Sequence, residues 1–292
     1  MERNENIRSA ATAEPHATAR NTKRKRGAVA RGTAWALVTG AGSGIGRCYA
    51  LRLAALGYNL AIAGDRAEPL DGVREELAAA GCPRVHVVVT DLARIEAAQE
   101  LYDGLCGAGI APDVVVNNAG IFSFCDVLST PSERIERIVL LHDMTTTQLC
   151  RLYAAQMIAR GVRGHILNMS SYSQWMPFPG LALYGASKAY LRTFSVAFAK
   201  EVADRGIRVT ASCPAGVATD LYGLTPRWQR IGQRLGVLIS ADSCARRGLR
   251  ALWRGRRSVV PDWWNRAWIP LCKLLPLRAI RPLRRFTMRF QK

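Results

Sequence analysis

The sequence predicts one α/β domain built on a doubly wound parallel sheet, with basic extensions at both ends. Three observations carry that reading. From Trp35 onward short apolar runs alternate with stretches of helical period, no hairpin-type turn signals join consecutive runs, and the polar motifs fall at the carboxyl ends of the runs. Parallel strands covered on both faces read as continuous apolar runs, whereas half-exposed antiparallel strands alternate. In such a sheet the ligand crevice lies beyond the carboxyl ends of the strands, where the strand order reverses, so fold and motif placement agree.

Each element follows from local pattern. The first strand, "AWALVTG", turns through glycines into the helix "GRCYALRLAALG", and "NLAIAG" supplies the second strand before a helix that reaches Ala80. "VHVVVTD" and another helix follow, then "DVVVNNAG", a longer helix from about Ser132, "GHILNMSS", the helix containing Tyr184, and "IRVTASCPAG". Six apolar strands separated by helices give a sheet wrapped on both sides.

Composition limits the possibilities. A chain of 292 residues with 49% hydrophobic and 22% charged residues buries one large core in the ordinary way. The eight cysteines (Cys48, Cys82, Cys106, Cys125, Cys150, Cys213, Cys244 and Cys272) are scattered, and no secretory leader is recognisable, which points to reduced thiols in a cytoplasmic setting. None of the four histidines is spaced i, i+4 with another, so no metal site is predicted. The net charge of +19 divides unevenly: residues 1–32 carry +5, residues 246–292 carry +13, and the 213 residues between carry only +1. Three segments are therefore expected: a disordered basic arm (1–32), a dinucleotide-binding catalytic domain (33–245) and a basic amphipathic extension (246–292).

Several motifs carry chemistry. "TGAGSGIG", Thr39 to Gly46, ends a strand and opens a helix. There Gly40, Gly44 and Gly46 let the backbone turn tightly and approach a pyrophosphate, and the helix N-terminus offers N–H groups and a positive dipole. Tyr184 and Lys188 lie one helical turn apart, behind Ser171, Ser170 being its adjacent rival. Free tyrosine ionises near pH 10, and a neighbouring ammonium favours its phenolate, the requirement for a neutral-pH acid/base.

With "NNAG" (Asn117–Gly120) and "CPAGVATD" (Cys213–Asp220) in the same order and at the same approximate spacings, residues 33–222 resemble the short-chain dehydrogenase/reductase family. The resemblance implies a Rossmann-type domain and NAD(P)-dependent hydride transfer between a nicotinamide cofactor and a carbonyl or secondary alcohol. In it Tyr184 is the acid/base, Lys188 lowers the tyrosine's pKa and binds the nicotinamide ribose, and Ser171 holds the substrate oxygen. It also implies a cofactor cleft lined by Gly40, Ser43, Gly44, Ile45, Gly46, Asp65, Arg66, Asp91, Leu92, Asn118, Ala119, Gly120, Tyr184, Lys188, Pro214, Gly216, Val217 and Thr219, and assembly as a homo-dimer or homo-tetramer. One position departs. The family's usual asparagine, fifteen residues before a methionine like Met157, is replaced by His142, which leaves its part in the proton relay, or as a plain helix residue, open.

Cofactor choice rests on the end of the second strand. Asp65 favours NAD(H), because an acid accepts from a ribose 2'-hydroxyl and repels a 2'-phosphate; Arg66 keeps NADP(H) possible. The apolar "WMPFPGLAL" before Tyr184 favours a lipophilic substrate. In residues 246–292, Trp253, Trp263, Trp264 and Trp268 are mixed with arginines and no uncharged run is long enough to span a bilayer; interfacial helices in peripheral membrane contact, or a basic surface for another partner, are the two readings. A cofactor-binding scaffold or sensor without turnover is the alternative function, which the Ser171, Tyr184 and Lys188 set argues against. No nucleic-acid partner is expected, since base-reading motifs are lacking and the middle of the chain is nearly neutral.

Overall fold

The computed structural model describes residues 27–262, except Pro177, 220–224 and Gly236, together with Asn265, Ala267 and Ile269. Seven parallel strands form the main sheet: β1 (Trp35–Thr39), β2 (Asn59–Gly64), β3 (Val85–Val89), β4 (Pro112–Asn117), β5 (His165–Met169), β6 (Arg208–Ser212) and β9 (Ser258–Val259). Their order across the sheet is β3-β2-β1-β4-β5-β6-β9. The order reverses between β1 and β4, which sets the switch point beside the glycine turn.

The continuous apolar runs serve two cores. Ala36, Val38, Leu60, Ile62, Val116 and Leu167 face a layer of α1 (Gly44–Ala54), α2 (Ala67–Ala79) and α8 (Ala241–Trp253). Their neighbours Leu37, Ala61, Val115, Ile166 and Val209 face α3 (Ala97–Gly107), α5 (Thr146–Ala159) and α6 (Ala182–Glu201) on the other side. Ahead of α5, α4 (Ser132–Val139) runs into a π-helical turn, Leu140–Thr145. A small parallel pair, β7 (Gly216–Ala218) and β8 (Leu238–Ser240), flanks α7 (Pro226–Arg234). Among the described residues no helix is long and apolar enough to cross a membrane.

Both expected ends of the domain move. Residues 27–32 lie on the body: Val29 N donates to Leu56 O (3.0 Å), Gly32 N donates to Gly57 O (2.9 Å), and Asn59 Nδ2 donates to Gly32 O (2.9 Å). Composition could not separate these residues from the basic arm, because their hold is backbone hydrogen bonding to the α1–β2 turn. At the other end residues 246–262 contain the later turns of α8 and the strand β9, both packed on the domain. Cys244, Ala245, Gly248, Leu249, Leu252 and Trp253 are buried, while Arg246, Arg250 and Arg254 stay exposed, and β9 pairs with β6. Trp253, expected in an interfacial tail, is a core residue whose ring meets His165 edge-on at 4.6 Å. The rest of the arm (1–26), and the later extension with Trp263, Trp264 and Trp268, lie outside the described residues.

Leu252 is fully buried against the sheet. Leu252→Ala will therefore lower stability by roughly 2–5 kcal/mol, read as a lower denaturant midpoint, whereas a residue of a detached extension would leave the midpoint unchanged.

Candidate active site

The site forms where the carboxyl ends of β1 and β4 part. The turn after β1 is possible because Gly40 and Gly44 adopt positive φ (+62° and +53°), and a Cβ on Gly46 would collide with the Gly40 carbonyl oxygen. Two hydrogen-bonding residues fix that turn to the end of β4. Thr39 Oγ1 accepts from Asn118 N (3.0 Å) and Ala119 N (3.1 Å), and Asn118 Nδ2 donates to the carbonyls of Thr39 (3.1 Å) and Gly40 (3.0 Å).

The resulting cleft, about 440 Å³, is lined by Gly40, Ser43, Gly44, Ile45, Asp65, Arg66, Asp91, Leu92, Asn118, Ala119, Gly120, Ser171, Tyr184, Lys188, Pro214, Val217 and Thr219. Three expected residues stand behind the wall. Gly46 packs under the turn, Gly216 pairs with Leu238 in the small sheet, and His142 is fully buried. A dinucleotide needs a backbone cradle at a helix N-terminus and an elongated cleft leading from it, and both are present.

Ser171, Tyr184 and Lys188 meet at one end. Tyr184 is buried on α6 near the Ser171 hydroxyl, with the Phe122 ring edge-on at 5.1 Å. Burial pushes its phenol up to about 12, and the nearby Ser171 hydroxyl pulls it back only in part. Lys188 Nζ lies 5.5 Å from the Tyr184 ring and donates to Met169 O (3.1 Å). Burial lowers its ammonium to about 8, against the pull of Asp143. Ser170 is committed elsewhere, its hydroxyl donating to the Lys188 carbonyl (2.6 Å).

His142 sits in the π-helical turn with both ring nitrogens engaged. Nε2 accepts from Ile121 N (2.9 Å), which makes Nδ1 the protonated nitrogen and the donor to Ser187 Oγ (2.9 Å); that hydroxyl donates in turn to Tyr184 O (2.9 Å). Burial holds the imidazole well below its usual pKa, so it is neutral. The ring thus ties the loop after β4 to the helix carrying Tyr184. Gly120 leaves space for it: a Cβ there would stand 3.0 Å from His142 Nε2 and 3.3 Å from Lys188 Nζ.

Other positions serve two purposes. Asp91 accepts from Arg137 through both oxygens (2.9 and 3.3 Å) and caps the following turn through Ala93 N (2.9 Å), and the Arg137 pairing holds its carboxyl below the usual range. Asp65 and Arg66 are exposed at the cleft mouth, 4.0 Å apart. Sequence reasoning missed Arg137, Phe122, Ser187 and Asp143. Burial raises the Asp143 carboxyl to about 6, and its buried Oδ1 has no hydrogen-bond partner among the described residues. Only Asp143 carried a signal, as an acid beside His142 in an apolar helix.

Comparison with known proteins identifies the family. The family described as short chain dehydrogenase matches residues 34–230. The chain is 35% identical over 190 residues to the probable oxidoreductase EphD of Mycobacterium tuberculosis, covering 64% of this chain and 32% of that protein. It is 33% identical over 183 residues to a very-long-chain 3-oxoacyl-CoA reductase of Pyrenophora tritici-repentis, covering 61% and 53%. The chain thus spans about a third and about half of the length of these relatives. A short-chain dehydrogenase of Sphingobium yanoikuyae solved with NADPH superposes with a TM-score of 0.69 at 26% identity, covering 83% of this chain and 96% of that one. The chain belongs to the short-chain dehydrogenase family.

The His142 bridge generates a prediction of its own. His142→Leu leaves the partly buried Ile121 N–H without its partner and breaks the tie to Ser187, at a cost of about 1–3 kcal/mol. Urea unfolding should show a lower midpoint with an unchanged slope.

Proposed function

We propose that this short-chain dehydrogenase is an oxidoreductase that moves a hydride between a nicotinamide dinucleotide and the carbonyl or secondary alcohol carbon of a lipophilic substrate. The observation that carries this reading is the convergence of Ser171, Tyr184 and Lys188 at one end of a cleft whose other wall is the glycine turn. Gly40, Ser43, Gly44 and Ile45 would hold the pyrophosphate, Asp91 and Leu92 the adenine, and Pro214, Val217 and Thr219 the nicotinamide end. The dinucleotide supplies the hydride acceptor or donor when bound.

The chain's own residues handle the proton. Ser171 and Tyr184 aim their hydroxyls at one substrate oxygen; Tyr184 gives it a proton in reduction and takes one in oxidation, and Ser171 stabilises the developing charge. Burial alone makes the Tyr184 phenol too weak an acid for this task, so the neighbouring Lys188 charge is essential. With its ammonium at about 8, Lys188 is mostly charged at pH 7, and Asp143 helps to keep it so. The π-helical turn at His142 interrupts the helical hydrogen-bond ladder and leaves backbone carbonyls for a water leading away from Lys188. In this reading the His142 imidazole is a brace, and the relay uses its backbone, as the family's asparagine does.

Substrate and setting extend the same proposal. Phe122, which lines the cleft beside Tyr184, suits a hydrophobic ketone or alcohol, and the very-long-chain 3-oxoacyl-CoA reductase relative is consistent with an acyl substrate. Stacked Tyr190, Phe194 and Phe198 on α6 suit a homo-dimer or homo-tetramer. The basic residues beyond 262 suit contact with an anionic membrane. An enzyme with these contacts is expected to be cytoplasmic and in part membrane-associated.

A screen of hydrophobic ketones and alcohols, following the absorbance of the reduced cofactor, tests the reading. Tyr184→Phe should keep dinucleotide affinity and lose turnover by about a hundredfold or more; retention of a tenth of wild-type activity would remove Tyr184 from the chemistry. NAD(H) should bind more tightly than its 2'-phosphorylated form, and Asp65→Ser should narrow or reverse that preference in fluorescence titrations. Tighter binding of the phosphate form by the wild-type protein would make Arg66 the reader instead.

A further inference from the structure

Asp262 lies just past β9, beyond the stretch that matches the family, and only 4% of its surface is exposed. A buried carboxylate has to be matched by donors, and described residues supply them here. Ala215 N donates to both oxygens (3.3 and 3.2 Å), and Asn265 Nδ2 donates to Oδ2 (2.5 Å). Asn265 N also donates to the Asp262 carbonyl (3.1 Å).

Asn265 also reaches the other side of the site. Tyr172, next to Ser171, donates its hydroxyl to the Asn265 carbonyl (2.8 Å), and its own N–H donates to Pro214 O (2.8 Å). Ser171–Tyr172, Pro214–Ala215, Asp262 and Asn265 are thereby linked by hydrogen bonds. Tyr172, Cys213 and Val260 bury an apolar cluster beneath them, with Ile269 packed alongside.

We infer that Asp262 is a positioning residue, whose carboxylate sets the Pro214–Gly216 backbone and, through Asn265 and Tyr172, the Ser171 hydroxyl. This rests on the proposed reading of Ser171 and of the Pro214–Thr219 wall. Both segments present short backbone stretches to the cleft, and an error of about 1 Å in such placement can cost on the order of a hundredfold in rate. Both carboxylate oxygens converge on the one amide of Ala215, so the link fixes the direction of that N–H as well as its distance.

The test compares Asp262→Asn, Tyr172→Phe and the exchanged pair Asp262→Asn with Asn265→Asp, which restores a carboxylate facing an amide. Asp262→Asn should reduce kcat and dinucleotide affinity about tenfold each. Tyr172→Phe, which severs only the Ser171 side, should reduce kcat about threefold and leave dinucleotide affinity unchanged. The exchanged pair, which restores the link to Asn265 and Tyr172 but not the carboxylate on Ala215, should recover part of the kcat loss and leave dinucleotide affinity reduced. Hydrogen exchange in the ligand-free protein should show the Ala215 amide losing protection in Asp262→Asn while the amides of β1 and β4 keep theirs. The proposal is overturned if Ala215 stays protected and affinity stays within twofold, or if the losses merely follow the fraction of unfolded protein. Exchange and affinity need no turnover, so failure of the proposed chemistry, seen as a fully active Tyr184→Phe, is distinguished from failure of the Asp262 assignment.

Discussion

The site depends on one close approach, that of the Gly46 backbone to the Gly40 carbonyl, which admits no side chain. That approach bends β1 into α1 within a few residues and leaves the first turn of the helix open towards the cleft. Thr39 and Asn118 then tie the same turn to β4, so the two strands that part at the switch point are held at a fixed separation. Both residues spend their polar groups on backbone atoms, which keeps the wall itself made of backbone, the surface suited to a pyrophosphate.

At the other end the problem is electrostatic. A tyrosine and a lysine are buried together, and burial alone moves each against the chemistry, the phenol upward to about 12 and the ammonium downward to about 8. The two errors oppose one another because the charged lysine favours the charged phenolate. In the proposed chemistry the pair works only while the geometry between them is kept. The neutral His142 ring keeps it by joining Ile121 in the loop after β4 to Ser187 and the Tyr184 carbonyl on α6. A protonated imidazole would lose the acceptor for Ile121 N–H, so the burial that depresses its pKa also preserves the brace.

The parallel sheet, the glycine turn and the Ser171, Tyr184 and Lys188 set were legible because each is written in local spacing: continuous apolar runs, glycines at a strand end, and side chains a helical turn apart. What stayed hidden depends on partners distant in sequence. Asp91 and Arg137, or Asp262 and Ala215, are ordinary residues until the fold brings them together. The domain's end was misjudged for a related reason. The arginines of α8 dominate its composition, yet they occupy only the outer face, and the buried Cys244, Gly248, Leu249 and Leu252 form a stripe that a charge count averages away.

That correction changes what the basic end can do. Of the 14 basic residues in 246–292, Arg246, Arg247, Arg250, Arg254, Arg256 and Arg257 are held on the domain by α8 and the approach to β9, leaving eight beyond residue 262. Some of the held groups also have structural duties: Arg247 donates to Pro261 O (2.5 Å), and the Arg256 carbonyl accepts from Thr210 Oγ1 (2.6 Å). A rigid basic face of exposed Arg246, Arg250 and Arg254 is therefore joined directly to the basic segment that follows. Attraction to an anionic surface falls off within about 10 Å at 0.1 M salt, so charges on a rigid face count only in the orientations that bring that face close.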